Sequence, residues 1–75
     1  MEIVKIQTEY IKLAQLLKYT SVVSSGVEAK WLIQDGKVKV NGEVATERGK
    51  KIRHGDKVEV AGEIYKVSLN EEKIR

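Results

Sequence analysis

The 75-residue sequence has no cysteine, no proline and no phenylalanine, and it holds one histidine, His54, and one tryptophan, Trp31. Without cysteine there is neither a disulfide framework nor a thiolate metal site to staple a small fold. A single histidine leaves no multi-histidine metal centre. A phosphate-cradling loop, Gly-rich and ending in Lys-Ser or Lys-Thr, is missing. No apolar run approaches the roughly 20 residues that a membrane-spanning helix needs. Residues 1–6 (MEIVKI) are too short and too charged for a secretory signal, so the expectation is a soluble cytoplasmic protein. Catalysis finds little support. Acid–base work needs a positioned pair of titratable groups, and a nucleophile needs a base beside it. His54 stands next to Gly55-Asp56 with no serine nearby and reads as an exposed loop residue. Ser24 and Ser25 read as helix caps. The sequence therefore predicts no enzyme, no metal, no cofactor and no small-molecule substrate.

What is there is aliphatic and basic. The core must rest on Leu, Ile, Val and Ala, and a domain this small buries only about 60% of its extended-chain surface. The formal net charge is +3, but residues 30–57 hold eight cations (Lys30, Lys37, Lys39, Arg48, Lys50, Lys51, Arg53, Lys57) against four acids (Asp35, Glu43, Glu47, Asp56). Positive charge concentrated in this way is the electrostatic footprint of a polyanion binder.

Residues 2–6 are short and β-branched and predict an edge strand or an ordered N-terminal arm. Thr8 is a candidate N-cap, with Glu9 after it and Leu13, Leu16 and Leu17 at helical spacing. This predicts a helix of about three turns ending near Tyr19 or Thr20. A second helix begins at Ser25, which has capping-box spacing to Glu28. Its buried face is Ala29, Leu32 and Ile33, and Gly36 is placed to end it in the left-handed conformation. The period then changes to two. Asn41-Gly42 is a strong hairpin signal with two possible registers. A two-residue turn sets Val40 opposite Glu43 and Val38 opposite Ala45. A three-residue loop sets Val38 opposite Val44 and Lys39 opposite Glu43, and is preferred because it pairs apolar with apolar and charge with counter-charge. Residues 45–54 read as a polar, basic loop anchored by Ile52, followed by strands at 57–60 and 63–67.

These elements predict an α+β domain with two packed helices on one side of a small antiparallel sheet of about four to five short strands. The boundaries expected are an arm or strand at 1–7, a domain at 8–69 and a frayed tail at 70–75. The constellation that carries chemistry is Ser25-Gly26 with Lys30, the strand face of Lys37 and Lys39, and the loop cations Arg48, Lys50, Lys51 and Arg53. A helix N-terminus offers free N–H groups to a phosphate, and Gly26 lets an oxygen approach them. Trp31 falls nearly opposite the buried helix face, close to Val27. It either stacks on a base, worth about 1–3 kcal/mol, or covers the N-terminal arm or a partner protein; the structural reading is preferred.

Lys12-Leu13 and Leu17-Lys18, the run Ser24-Ser25-Gly26-Val27-Glu28-Ala29-Lys30-Trp31-Leu32-Ile33-Gln34-Asp35-Gly36-Lys37-Val38-Lys39-Val40-Asn41-Gly42, and Gly55-Asp56-Lys57-Val58 together resemble the S4 RNA-binding domain family. The likeness is strongest to the small stand-alone bacterial S4-like proteins of the YaaA type and covers about residues 8–67. The resemblance implies an αL-type fold whose helix pair and following hairpin present a basic face to structured RNA, ribosomal RNA or a ribosomal precursor, in a ribosome-associated bacterial protein. By this likeness Lys12, Lys18 and Asn41 join the RNA-binding candidates. Two positions depart from the family pattern: Gly26 stands where an arginine usually follows the serine, and Ala14 where an acid is usual. The phosphate contact then falls to Lys30 and the loop cations. The expectation is a non-catalytic RNA-binding monomer with structured RNA, and through it ribosomal particles, as partner and no membrane association. The alternative is a protein-interaction module using Trp31 and the N-terminal arm as a dimer or partner surface. A ubiquitin-like carrier is set aside, because the sequence ends Glu71-Glu72-Lys73-Ile74-Arg75 and not in Gly-Gly.

Overall fold

The structure, a computed structural model, describes residues 1–70. In chain order the elements are β1 (Glu2–Ile6), β2 (Tyr10–Lys12), α1 (Leu13–Tyr19), α2 (Gly26–Gln34), β3 (Lys39–Val40), β4 (Glu43–Val44), β5 (Lys51–Arg53), β6 (Lys57–Val60) and β7 (Glu63–Leu69). Two helices pack on a five-stranded sheet of order β1-β7-β6-β3-β4, and β2 pairs with β5 in a separate two-stranded sheet. The α+β architecture is the expected one. The large sheet is mixed and not antiparallel throughout as expected, because β1 runs parallel to β7 while the other pairs are antiparallel. β1 is an edge strand, and it is integral to the fold: Val4 and Ile6 are buried in the core.

Burial follows the side-chain periods. Leu13, Leu16 and Leu17 of α1 and Ala29 and Ile33 of α2 form one buried cluster with Val40, Val58, Val60 and Val67 of the sheet and with Val38 and Ile52. Among the described residues no polar or charged side chain is buried. Every lysine and arginine there is consequently left on or near the surface.

The first helix starts later than the sequence pattern suggested. Thr8 is not its N-cap; its hydroxyl donates to the Tyr10 carbonyl at 2.7 Å. Residues 10–12 are extended, and the helix opens at Leu13. The reason lies in the segment read as a loop, where residues 51–53 form β5 and take β2 as their partner, with Tyr10 opposite Arg53, Ile11 opposite Ile52 and Lys12 opposite Lys51. Ile52 is fully buried and Ile11 packs against the core, so this small ladder is held by one apolar pair.

The second helix ends as expected. Gly36 has φ +75°, its N–H donates to the Ile33 carbonyl at 3.1 Å, and Lys37 N–H reaches the Leu32 carbonyl at 3.1 Å. That pair of bonds is a Schellman motif.

The hairpin register is the one not preferred from sequence. Val40 stands opposite Glu43 and Lys39 opposite Val44, and Ala45 N–H donates to the Val38 carbonyl at 2.9 Å. Asn41 and Gly42 both have positive φ, +52° and +88°, which is the type I′ turn that two-residue hairpins favour. This register buries Val38, Val40 and Ala45 together and leaves Val44 exposed. Core burial outweighed the charge pair that Lys39 and Glu43 would have made. At the other end, Asn70 N–H donates to the Ile6 carbonyl at 2.7 Å and continues the β1 ladder; the rest of the tail expected at 70–75 lies outside the described residues.

The β6–β7 hairpin uses the same turn with a poorer residue. Val60 pairs with Glu63, and Ala61 and Gly62 have φ +55° and +79°. A Cβ in the left-handed region costs roughly 1–2 kcal/mol, a cost that Asn reduces through local hydrogen bonding. Ala61→Asn is therefore expected to raise stability by about 0.5–1 kcal/mol in urea unfolding, with an unchanged m-value; a lower midpoint would contradict the turn assignment.

Candidate nucleic-acid interface

A helix leaves its first N–H groups without intrahelical partners. In α1 the first two are taken by the basic loop. Leu13 N–H donates to the Lys50 carbonyl at 2.9 Å and Ala14 N–H to the Arg48 carbonyl at 3.0 Å. Within the loop, Lys50 N–H donates to the Glu47 carbonyl at 3.2 Å. Gln15 completes the helix start by accepting from Lys12 N–H at 3.4 Å. The backbone of residues 48–50 is thus fixed against α1 by bonds that involve no side chain of Arg48 or Lys50.

The ladder next to the loop sorts its residues by pleat. Ile11 and Ile52 point inward, so Tyr10, Lys12, Lys51 and Arg53 share the outer face. Lys12 and Lys51 are direct cross-strand neighbours, a like-charge pairing that weakens a ladder. Tyr10 offsets part of this. Lys51 Nζ lies 4.9 Å and the Arg53 guanidinium carbon 5.4 Å from its ring centroid, and each such contact is worth about 0.5–1 kcal/mol at an exposed site. Tyr10 had no place in the sequence reading. Its signal, an aromatic two residues before Lys12 in a Tyr-Ile-Lys alternation, becomes legible only once Lys-Ile-Arg at 51–53 is recognised as its partner strand.

Lys30 approaches from α2. With Ile33 and Gln34 it forms one wall of an open groove of about 600 Å³, and residues 46–49, including Arg48, form the other. The structure therefore gathers Lys12, Lys51 and Arg53 on one small sheet, Arg48 and Lys50 on the adjoining loop, and Lys30 across the groove from Arg48.

The remaining candidates are elsewhere. Lys18 lines a shallow depression of about 430 Å³ with residues 21–24 and Glu28, beside the α2 N-terminus where Ser25 and Gly26 stand. Ser25 caps that helix, accepting from Glu28 N–H at 3.2 Å. The Glu28 carboxylate does not return to the cap residue's own N–H; it accepts from the N–H and hydroxyl of Ser24, at 2.8 and 3.0 Å. These bonds, the backbone one foremost, hold the Glu28 carboxyl below its ordinary range. The phosphate position imagined there from sequence already has a carboxylate beside it. Lys37 sits exposed in the turn after α2, and Lys39 projects from the large sheet on the side away from the buried Val40. Asn41 serves the fold. Its side-chain oxygen accepts from Lys57 N–H at 3.0 Å and its amide donates to Asp56 at 3.1 Å, while the second Asp56 oxygen accepts from Arg53 N–H at 2.8 Å. His54 is likewise engaged, its Nδ1 accepting from Leu69 N–H at 3.0 Å.

A family model described as the S4 domain matches residues 4–68. The chain belongs to the S4 domain family. It is 44% identical over 59 residues to a probable ribosome maturation protein, RlbA, of Bacillus subtilis, covering 79% of this chain and 83% of that protein. A 40-residue stretch, 53% of this chain, is 52% identical to the ribosomal large subunit pseudouridine synthase B of the same organism, but covers only 16% of that enzyme. Among solved structures, the chain superposes on the 30S ribosomal protein S4e from Thermoplasma acidophilum with a TM-score of 0.70 at 25% identity, covering 88% of this chain and 35% of S4e. It superposes on YbcJ from E. coli, whose solution structure is described as revealing an αL motif involved in RNA binding, with a TM-score of 0.69 at 35% identity over 91% of this chain and 87% of YbcJ. In this S4 domain the Asn41–Asp56 bond and the Lys57 N–H bond to Asn41 give the N-G and G-D portions of the motif a structural purpose, tying the hairpin to the turn after β5.

The Glu28 arrangement has a pH signature. A carboxyl held below its unfolded value contributes stability that is complete above the ordinary carboxylate range and is lost as pH falls through the lowered folded value. The Tm difference between wild type and Glu28→Gln is therefore expected to be largest near neutrality and to shrink in strong acid. A difference independent of pH would show that the carboxylate charge contributes nothing to the cap.

Proposed function

We propose that this S4 domain is a non-catalytic RNA-binding protein for structured RNA, in particular ribosomal RNA or a ribosomal precursor, and that Tyr10, Lys12, Lys30, Arg48, Lys50, Lys51 and Arg53 form its contact surface. The observation that carries the reading is the backbone attachment of residues 48–50 to α1, which holds cations in place where mutual repulsion would splay a free loop. Family membership and the ribosome-maturation and RNA-binding relatives support the partner class. Lys12, Lys51 and Arg53 on a paired ladder present charge in a fixed geometry, which suits recognition of an A-form helix by its backbone and 2′-hydroxyls. The absence of a catalytic role is supported by His54, whose Nδ1 is committed to Leu69, and by the synthase match, which spans a small part of that enzyme. The ribosomal particle as the wider partner, a cytoplasmic location and a monomeric state belong to the same reading.

Six cations engaging six phosphates would give a salt slope of about −4 to −5. Replacing Arg48, Lys50 and Lys51 together by Glu is expected to weaken binding to a folded ribosomal RNA fragment by more than about 100-fold in anisotropy titrations. The fold should be retained, because the α1 attachment uses carbonyls only. Wild-type affinity in that variant, with wild-type circular dichroism, would remove these residues from the interface.

One observation favours a second reading. Trp31 and Val27 are 61% and 55% exposed on α2, an apolar pair on a helix face that the fold does not cover, as a protein-interaction surface requires. Sedimentation distinguishes it: a concentration-dependent dimer abolished by Trp31→Ala would support a contact between copies, and a monomer at every concentration would oppose it.

A further inference from the structure

We propose that the outer face of the five-stranded sheet is a second phosphodiester-binding surface, a lysine stripe formed by Lys39, Lys57, Lys66 and Lys5. The inference rests on the RNA-binding reading above and adds a site to it.

The stripe follows from the strand registers. Lys39 pairs with Glu59, Lys57 with Lys66, Lys66 with Ile3, and Lys5 with Ser68. Val40, Val58, Val67 and Val4 alternate with these lysines and are buried under the helices, so all four lysines lie on the opposite face of the sheet. Moving from β3 to β6 shifts two residues along the strand, β6 to β7 is a direct step, and β7 to β1 shifts two residues further in the same direction. The four lysines therefore form one diagonal line over four strands. With strands about 4.8 Å apart and about 3.3 Å per residue, the line is roughly 20 Å long.

Stability accounts for one member of this arrangement, Lys39, which faces Glu59 across the strands, and not for the other three. Lys57 and Lys66 face each other directly on neighbouring strands, a like-charge pair that destabilises a sheet. Among the strand residues of this face Glu59 is the one carboxylate, set against four lysines. Beside Lys57 the surface dips into an open depression of about 400 Å³ bounded by Asn41, Gly42, Gly55, Ile64 and the one carboxylate of this face, Glu59. A Cβ at either glycine would meet nothing within 4 Å, so there is open space beside both turns, while the Gly55 N–H itself donates to the Val67 carbonyl at 2.8 Å. Ile3 and Ile64, 54% and 38% exposed, lie alongside the lysines and offer apolar surface to a ribose. A line of cations with exposed aliphatic side chains and without an aromatic platform fits a sugar–phosphate backbone better than stacked bases. Lys39 thus belongs to RNA recognition through this face and not through the groove beside α2.

The test compares three proteins on one folded ribosomal RNA fragment over a range of salt: wild type, the charge-reversed loop variant (Arg48→Glu, Lys50→Glu, Lys51→Glu) and a sheet variant (Lys39→Gln, Lys57→Gln, Lys66→Gln). Three lost phosphate contacts should reduce the salt slope by about 2 and weaken binding by about 50-fold near 0.15 M salt. The Tm of the sheet variant should equal or exceed that of wild type, since the Lys57–Lys66 repulsion is removed. Should the triple variant melt lower, Lys57→Gln with Lys66→Gln is used instead, with an expected slope change of about 1.4. Wild-type affinity and slope in the sheet variant, together with loss of binding in the loop variant, would overturn the stripe and leave the first surface standing. No binding by wild type, or no change in either variant, would overturn both.

Discussion

The bonds from Leu13 and Ala14 to the carbonyls of Lys50 and Arg48, at 2.9 and 3.0 Å, determine where the cations of the basic loop stand. Both partners have a need that the other meets. A helix start carries N–H groups that must find acceptors, and a segment with four cations in six residues (48–53) will not fold back on itself unaided. Because the attachment is main chain to main chain, the side chains of Arg48 and Lys50 are not consumed by it. Residues 51–53 then continue directly into the β2–β5 ladder, and the ladder aims Lys51 and Arg53 to the same side as Lys12.

The arrangement is in mild conflict with stability. Lys12 faces Lys51 on one sheet and Lys57 faces Lys66 on the other, and neither pairing helps the fold. The domain tolerates them because its core is wholly aliphatic apart from Tyr65, with no buried polar side chain among the described residues to satisfy. Two type I′ turns, a Schellman motif and the Asn41–Asp56 bonds fix the connections between elements. None of these connections uses a lysine or arginine side chain. Local departures from the best packing or pairing are expected where function is carried, and here they coincide with the lysines.

Sequence and structure agree most closely where a local rule decides the outcome. The Ser25 cap, the buried Ala29–Ile33 face and the Gly36 terminus of α2 each follow from a residue type at a fixed offset, and so does the Asn41-Gly42 turn. Disagreement arises where the deciding partner is distant in sequence. Tyr-Ile-Lys at 10–12 and Lys-Ile-Arg at 51–53 each hold one apolar residue, too little to read as strands singly, and each becomes a strand only beside the other. For β1 the edge strand was legible, but its parallel partner β7, at the far end of the domain, was not. The hairpin register went the other way from the pairwise argument because burying Ala45 with Val38 outweighs an exposed ion pair. The candidate cations were legible as a set, but their division between surfaces was not. That division depends on strand parity for Lys39, on the loop's attachment for Arg48 and Lys50, and on the position of Glu28 beside Ser24 for Ser25 and Gly26.

The central claim is that the basic loop is held against α1 in the free protein, before any RNA arrives. Amide hydrogen exchange of Leu13 and Ala14 in the absence of RNA tests it most directly, because first-turn N–H groups of a helix are ordinarily open to exchange. The account predicts protection at both amides comparable to that of the buried positions of α1. Exchange at the rate of an unprotected chain, with Leu16 and Leu17 still protected, would show a helix formed without the loop and would contradict the account.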